Sequence, residues 1–466
     1  MSTRVLHGYM RRSCVSALLA CAALLSLASP APGQDSQWWT NQYGNRARLL
    51  GGAVIGSSSD LSAVYYNPGG LALVDQPDAL LTGYVFELDN LSYSGTLLER
   101  VELSSTRFSA VAGLIAGQIP FKFLGSSKLA YSYLTRHNLE YRFNTGGTAP
   151  GSRIPGFEGI GSLSASLTFA TRLREYWGGL TWSAPVDRFG LGVSTFVANR
   201  SQRLFDQTNI TAVDEAFGVA SLASQRSYDY SNWRILWKIG LSTSFERWNG
   251  GITITTPSVR LFGDGDIEFQ NTAVLPGSQS VTNTFQNGLP ARYASSWAVG
   301  AGGAYSGRDW TGHISVEWFN RVDVTVLDGE PFRSQTDSTF LVDPDVTNVM
   351  KGLVNVALGI EKKWSDTYSG YASAYTDFTG SRTGDGSATT TTPWNLWTVG
   401  AGAIFSVGRS EFTAGLTYKF GGRDHIERSD LVPGEVDENL LGSNIRGRFS
   451  RFTLVLGFDL QFAPGL

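Results

Sequence analysis

The sequence predicts an all-β fold: a fourteen-stranded antiparallel transmembrane β-barrel with an N-terminal plug in the lumen. Three observations carry that expectation. The chain of 466 residues opens on an export leader, and no later stretch approaches the ~18 apolar residues of a membrane helix. From residue 79 onward the dominant pattern has a period of two, in runs too long for a soluble sandwich. Short and long connections alternate between those runs.

The leader comes first. Arg4, Arg11 and Arg12 precede an apolar run from Val15 to Ala28, and Ala31 and Gly33 supply the small residues of a cleavage site, so residues 1–33 read as a secretory signal peptide. Leu18-Leu19-Ala20-Cys21 resembles a lipobox, but the apolar run continues well past Cys21. The only two cysteines, Cys14 and Cys21, leave with the leader, which excludes disulfides, thiolate metal sites and a cysteine nucleophile from the mature chain. The formal net charge of −3 lacks the basic balance of a nucleic-acid binder, and no nucleic acid is expected as a partner. An exported chain of this kind is either soluble in the periplasm or a barrel in the outer membrane of a Gram-negative-type bacterium.

Strand length decides between the two. At the C-terminus Phe452, Leu454, Leu456, Phe458, Leu460 and Phe462 alternate with Arg451, Thr453, Asp459 and Gln461. Trp233, Ile235, Trp237 and Ile239 alternate in the same way with Arg234 and Lys238. A soluble sandwich alternates too, but its strands average about five or six residues, whereas a bilayer needs ~9–11 tilted ones. The runs are placed at 79–91, 104–120, 127–143, 162–183, 189–205, 228–245, 249–263, 292–306, 310–326, 351–363, 367–378, 393–407, 410–425 and 445–462. Short turns such as Glu246–Trp248 and Gly408–Arg409 alternate with long connections such as 206–227 and 264–291, which puts both termini in the periplasm. The barrel therefore spans 79–462 and meets outer-membrane lipid.

Residues 34–78 show no clean alternation and carry too many apolar groups for a solvated tail, so their expected place is the lumen, as a plug. Gly51, Gly52 and Gly56 lack the spacing, the lysine and the preceding strand of a phosphate loop.

The stretch Tyr65-Tyr66-Asn67-Pro68-Gly69-Gly70-Leu71, preceded by Ser59-Asp60-Leu61-Ser62-Ala63, resembles the plug signature of the FadL/TodX-type outer-membrane transporters, with Gly69 where the family usually has Ala. Weaker matches are Leu289-Pro290, Val316-Glu317-Trp318 and Thr256-Pro257-Ser258. The resemblance implies a channel that passes a hydrophobic small-molecule substrate, a long-chain fatty acid or an aromatic hydrocarbon, by diffusion through a plugged barrel. An alternative is a barrel of the same family retooled as a binding, shuttle or secretion partner. The plug-motif residues are Asn67, Pro68, Gly69, Gly70 and Leu71; Asn-Pro-Gly chemistry favours a tight turn there. The family captures substrate between two long outer loops, here 206–227 and 264–291. In the first, Val213, Phe217 and Leu222 are candidate substrate contacts; one reading makes Thr211 the cap of a short amphipathic lid in which Val213, Ala216, Phe217 and Ala220 share a face, and the other has the loop packing against its neighbour. The family releases substrate sideways beside an inward-bent third strand, but Lys128–His137 contains no Gly or Pro to ease a bend.

Enzyme chemistry finds no support. His313, Ser315 and Glu317 share a strand face, but alternate residues stand ~6.5 Å apart, too far for a triad, and a polar lumen wall explains them. Pro257 inside a run suggests a bulge or bend. Asp264-Gly265-Asp266 and Asp385 read as turns rather than calcium loops. No catalytic residue, metal or cofactor is expected, and the protein is expected to be a monomer.

Overall fold

The structure, a computed structural model, describes residues 37–73, 79–81, 84–96, 101–120, 125–150, 161–214, 218–275, 278–336, 341–380, 392, 394–408, 410–426 and 445–460. The expected signal peptide 1–33, Phe217, Asp385 and Phe462 lie outside them. The N-terminal segment folds as two short helices, α1 (Asn45–Leu49) and α2 (Ala63–Tyr66), and a 3-10 turn over Pro68–Leu73. Strands then follow almost without interruption: β1 (Ala79–Leu81), β2 (Tyr84–Thr96), β3 (Val101–Ala112), β4 (Leu114–Ile119), β5 (Lys128–Ala149), β6 (Ser162–Val186), β7 (Phe189–Asp214) and β8 (Gly218–Phe245). The chain continues with β9 (Trp248–Thr255), β10 (Val259–Leu275), β11 (Ser278–Pro290), β12 (Ala298–Ser306), β13 (Trp310–Phe319), β14 (Val322–Leu327), β15 (Phe332–Arg333), β16 (Leu341–Val342) and β17 (Val346–Met350). It closes with β18 (Leu353–Ser365), β19 (Tyr368–Asp377), β20 (Leu396–Val407), β21 (Ser410–Ile426) and β22 (Ile445–Leu460).

Eighteen of these strands form one sheet, against the fourteen runs expected. The difference has local causes. The first run is described as β1 and β2, on either side of residues 82–83, and the second breaks at Gly113 into β3 and β4. The seventh ends at Thr255 and resumes as β10 beyond Pro257, which has no N–H for the ladder. The connection 264–291 is a β10–β11 hairpin rather than a loop. Pairing is antiparallel throughout, mostly between sequence neighbours; β1 pairs with β4, β8 with both β9 and β10, β9 with β12 and β13 with β18, and β22 also pairs with β1 and β2. The two-residue turns are tight enough that Asp187 and Glu246 adopt positive φ, 54° and 51°.

The facing reverses that of a soluble protein. Arg451, Thr453 and Val455 are buried, whereas Phe452, Leu454 and Leu456 point outward. Phe458 is half-buried. The same holds in β8, where Arg234 and Lys238 are buried and Trp233 and Ile239 exposed. Such a wall is stable only where an apolar solvent meets the outward face.

The wall is uneven in height: β6, β7 and β8 run to 25, 26 and 28 residues, while β12 and β13 have 9 and 10. The extra length corrects the expected lid. Instead of a helix in 206–227, β7 and β8 stay paired out to Asp214↔Gly218, and burial alternates through Asp206, Thr208, Ile210 and Ala212. Ladder bonds along two β-branched strands satisfy every backbone group, which one lone helical turn cannot do. Val213 consequently faces outward, and Leu222 is half-buried against the apolar cluster inside the tall wall.

Candidate functional site

The N-terminal segment is buried against strands from every side of the sheet. Gly44, with φ 82°, turns the chain into α1, from which Arg46 reaches Glu361 of β18 through Nε and NH2 (2.9 and 2.8 Å). Its NH1 donates to Ser57 O at 3.0 Å, and Ser57 Oγ meets His313 Nδ1 at 2.8 Å. Ile55 N donates to Ser315 Oγ (3.1 Å), and Trp39 Nε1 to Glu317 Oε2 (2.7 Å). The face His313, Ser315 and Glu317 thus holds the N-terminal segment, and Glu361, paired with the Arg46 guanidinium, also stands 3.7 Å from His313 Nε2. Ser194 Oγ donates to Val64 O (2.6 Å), and Lys419 Nζ to Thr40 O (3.1 Å).

The Asn-Pro-Gly turn is anchored twice. Asn67 Nδ2 donates to Ile55 O (2.8 Å) within the segment and to Leu241 O (3.0 Å) in β8, while its Oδ1 accepts from Gly69 N (3.1 Å). Gly69 lies backbone to backbone with the wall: a Cβ there would strike the carbonyl oxygens of Gly190 and Gly240. Pro68, Gly70 and Leu71 are buried, whereas Leu73 is 37% exposed.

One seam of the wall is breached. β4 pairs with β5 only from Leu114↔Leu134 to Ile119↔Leu129, and among the described residues no ladder joins β3 to the outer part of β5. At the breach the register of β5 on β6 shifts between Thr135 and His137. No Gly or Pro is involved: the irregularity is a bulge at Arg136. The N-terminal segment supplies donors there: Asn41 Nδ2 to Thr135 O and Arg136 O (3.2 and 3.1 Å), and Tyr43 Oη to Thr135 O (3.0 Å). Arg136 turns inward, donating to Tyr65 Oη (2.7 Å) and Trp38 O (3.0 Å). Above it the gap is spanned by side chains, Arg107 NH1 donating to Asn138 O (2.6 Å) and Arg142 N to Ser105 Oγ (3.5 Å). Burial lifts the phenol pKa of Tyr43, Tyr65 and Tyr66 above the usual value, so these groups stay neutral, Tyr43 and Tyr66 as donors and Tyr65 as acceptor from Arg136.

Beside the breach lies a cavity of about 40 Å³, lined among others by Trp38, Arg136, His137, Glu175, Arg234 and Lys238. Glu175 accepts from Arg200 NH1 (3.0 Å), Trp177 Nε1 (2.6 Å) and Arg234 NH2. The Tyr293 ring lies under both guanidiniums, 4.1 Å from Arg200 and 4.7 Å from Arg234. Lys238 pairs with Glu317 at 3.4 Å. Four cations thus face two carboxylates. Several buried nitrogens around this cavity lack a hydrogen-bond partner: Arg234 Nε and NH1, Arg136 Nε, His137 Nδ1 and Trp38 Nε1. Sequence periodicity placed Arg234 and Lys238 on the polar face, but their meeting with Glu175 depends on cross-strand register. Outward of the cavity the lumen is filled by an apolar cluster that includes Tyr141, Phe143, Phe169, Leu204, Tyr228 and Trp394.

No protein-family model and no curated protein matches the chain. Solved structures do match in fold. A Pseudomonas aeruginosa FadL homologue aligns with a TM-score of 0.56 at 12% identity, over 91% of this chain and 99% of its own. The Pseudomonas putida toluene transporter TodX aligns with a TM-score of 0.59 at 10% identity, over 91% and 99%. The Ralstonia pickettii toluene transporter TbuX gives 0.53 at 11%, over 90% and 99%. The chain therefore has the fold of FadL/TodX-type channels, the one that the Asn67–Leu71 motif resembles.

Proposed function

We propose that this chain is an outer-membrane channel for hydrophobic compounds, exported by residues 1–33, with fourteen wall crossings over 79–462 and residues 34–78 as the plug. Its cargo is an amphipathic acid with a long apolar tail, a long-chain fatty acid rather than a neutral aromatic hydrocarbon. The observation that carries this reading is the set of unpartnered buried nitrogens around the cavity, between the N-terminal segment and the apolar cluster. Buried donors without acceptors are costly, and a carboxylate supplies the acceptors while its tail stays among apolar side chains. The cation excess there favours the same ligand.

Arg136, Arg234 and Lys238 hold the acid head, and Tyr141, Phe143 and Phe169 line the way to it. Release runs sideways through the breach between β3 and β5. Movement of Asn41 and Tyr43 away from the Thr135 and Arg136 carbonyls opens it, because those donors stand where ladder bonds are missing. Passage is diffusive; no step consumes energy.

The test compares uptake of a labelled long-chain fatty acid and of toluene by cells carrying Arg234→Met. Acid uptake should fall by about tenfold or more, as expected when one charge-assisted partner is removed, with toluene uptake unchanged. Equal changes in both would refute the acid reading, and toluene uptake exceeding acid uptake in the unaltered protein would point to a hydrocarbon channel.

A further inference from the structure

The outward face of β5–β7 changes from apolar to basic at one level. On the lower side Tyr133 and Tyr176 stack with ring centroids 6.0 Å apart, above exposed Leu180 and Trp182. The next outward positions along β6 are Arg174 and then Arg172, with Arg142 on β5 and Arg203 on β7 also facing out. Register aligns Glu140, Arg172, Arg203 and Asp229 in one row across β5, β6, β7 and β8. Arg172 pairs with Glu140 (2.7 Å) and Arg203 with Asp229 (2.6 Å), so the acids flank the row and the two guanidiniums are direct cross-strand neighbours at its centre. Like charges directly opposite are destabilising in a sheet unless an anion lies between them. Arg174 and Arg142 each stand two residues along their strands, ~6.5 Å away. Asp266 of β10 continues the row beyond Asp229, so four guanidiniums stand against three carboxylates and leave the patch net cationic, and ion pairs this exposed hold their partners weakly.

We propose that Arg142, Arg172, Arg174 and Arg203 bind the phosphorylated headgroup of a lipid in the outer leaflet. Guanidinium forks match phosphate oxygens in pairs, and the rim just beyond a band of outward aromatic rings is where headgroups lie. The stacked Tyr133 and Tyr176 rings support the acyl chains of the same lipid. The site is separate from the lumen and independent of the cargo; it rests on the wall's being in a membrane.

The test is titration of the purified full-length protein in nanodiscs with bisphosphorylated lipid A, read by native mass spectrometry. The triple variant Arg172→Gln, Arg174→Gln, Arg203→Gln should bind about a hundredfold more weakly, at roughly a fivefold loss per cation removed. Dephosphorylated lipid A should bind both proteins equally weakly. A control with Arg446→Gln and Arg448→Gln, exposed on β22, should retain binding. Retention of full affinity by the triple variant, with heat-modifiable gel mobility showing it folded, would overturn the proposal. An equal loss in the control would overturn the location, and displacement of the lipid by millimolar inorganic phosphate would overturn the lipid assignment.

Discussion

The two edges of β5 behave differently. Toward β6 it is paired from Lys128↔Ser183 to Ala149↔Leu163, broken only at Arg136; toward β3 and β4 it has the six pairs ending at Leu114↔Leu134. One strand thus belongs both to a sealed wall and to an open seam. At the sealed edge backbone groups satisfy each other, and stability depends on what bathes the outward face. At the open edge the carbonyls of Thr135 and Arg136 depend on Asn41 and Tyr43, from a segment nearly a hundred residues earlier in the chain. A barrel sealed all round would need no such help, so the seam is the part of the wall that leans on the N-terminal segment for its hydrogen bonds.

The largest effect should come from the sealed wall. Leu456→Arg, on the outward face of the fully paired β21–β22 seam, should destabilise the folded barrel by about 2–4 kcal/mol near mid-membrane. Reversible unfolding in lipid vesicles measures it, and hydrogen exchange at Thr135–His137 should not change under native conditions. An unchanged folding free energy would remove the lipid-facing assignment.

Gly69→Ala comes next. Its new methyl meets the carbonyls of Gly190 and Gly240, and such overpacking typically costs about 1–3 kcal/mol. The N-terminal segment should loosen while the wall persists, seen as raised small-ion conductance in planar bilayers. Conductance at the parent level would show that the turn has slack.

Asn67→Ala leaves the carbonyls of Ile55 and Leu241 without their donor, at about 1–3 kcal/mol. Fatty-acid uptake should change with sugar uptake unaltered; a folded variant that leaves both unaltered would make the motif purely structural. The most local effect is expected from Asn41→Ala, which loses two part-buried hydrogen bonds at about 0.5–1.5 kcal/mol each and shows as faster exchange around Thr135.

Much of this was legible in the sequence. Period-two alternation located the strands of the large sheet other than β11, because a two-faced wall must alternate, and Pro257, read as a bulge or bend, stands between β9 and β10. The motif around Asn67 pointed to a packed turn. The tall wall was not legible: Val213, Ala216, Phe217 and Ala220 fit a helical face as well as a strand, and pairing with a distant partner decides between them. The breach was hidden for a related reason. Gly113 lay inside a run that otherwise reads as one strand, and a bulge at Arg136 needs no special residue type. The cavity's charges were visible one by one, but Glu175, Arg200 and Arg234 meet only through the register of β6, β7 and β8. Gly69 is a further case: its small size reads as a mild departure from Ala until the wall's glycines are seen against it.

The direct test of the central claim, that hydrophobic cargo leaves through the β3–β5 seam, uses a cysteine-free mature chain into which Ser105→Cys and Tyr141→Cys are introduced. Ser105 Oγ lies 3.5 Å from the amide that follows Tyr141, so a short, reducible bismaleimide can join the two strands. Uptake of a labelled long-chain fatty acid would be followed in cells before linking, after linking and after reduction. Loss of uptake on linking, with recovery on reduction and no change in uptake of a small sugar, is the predicted result. Unchanged fatty-acid uptake through a fully linked, folded barrel would contradict it.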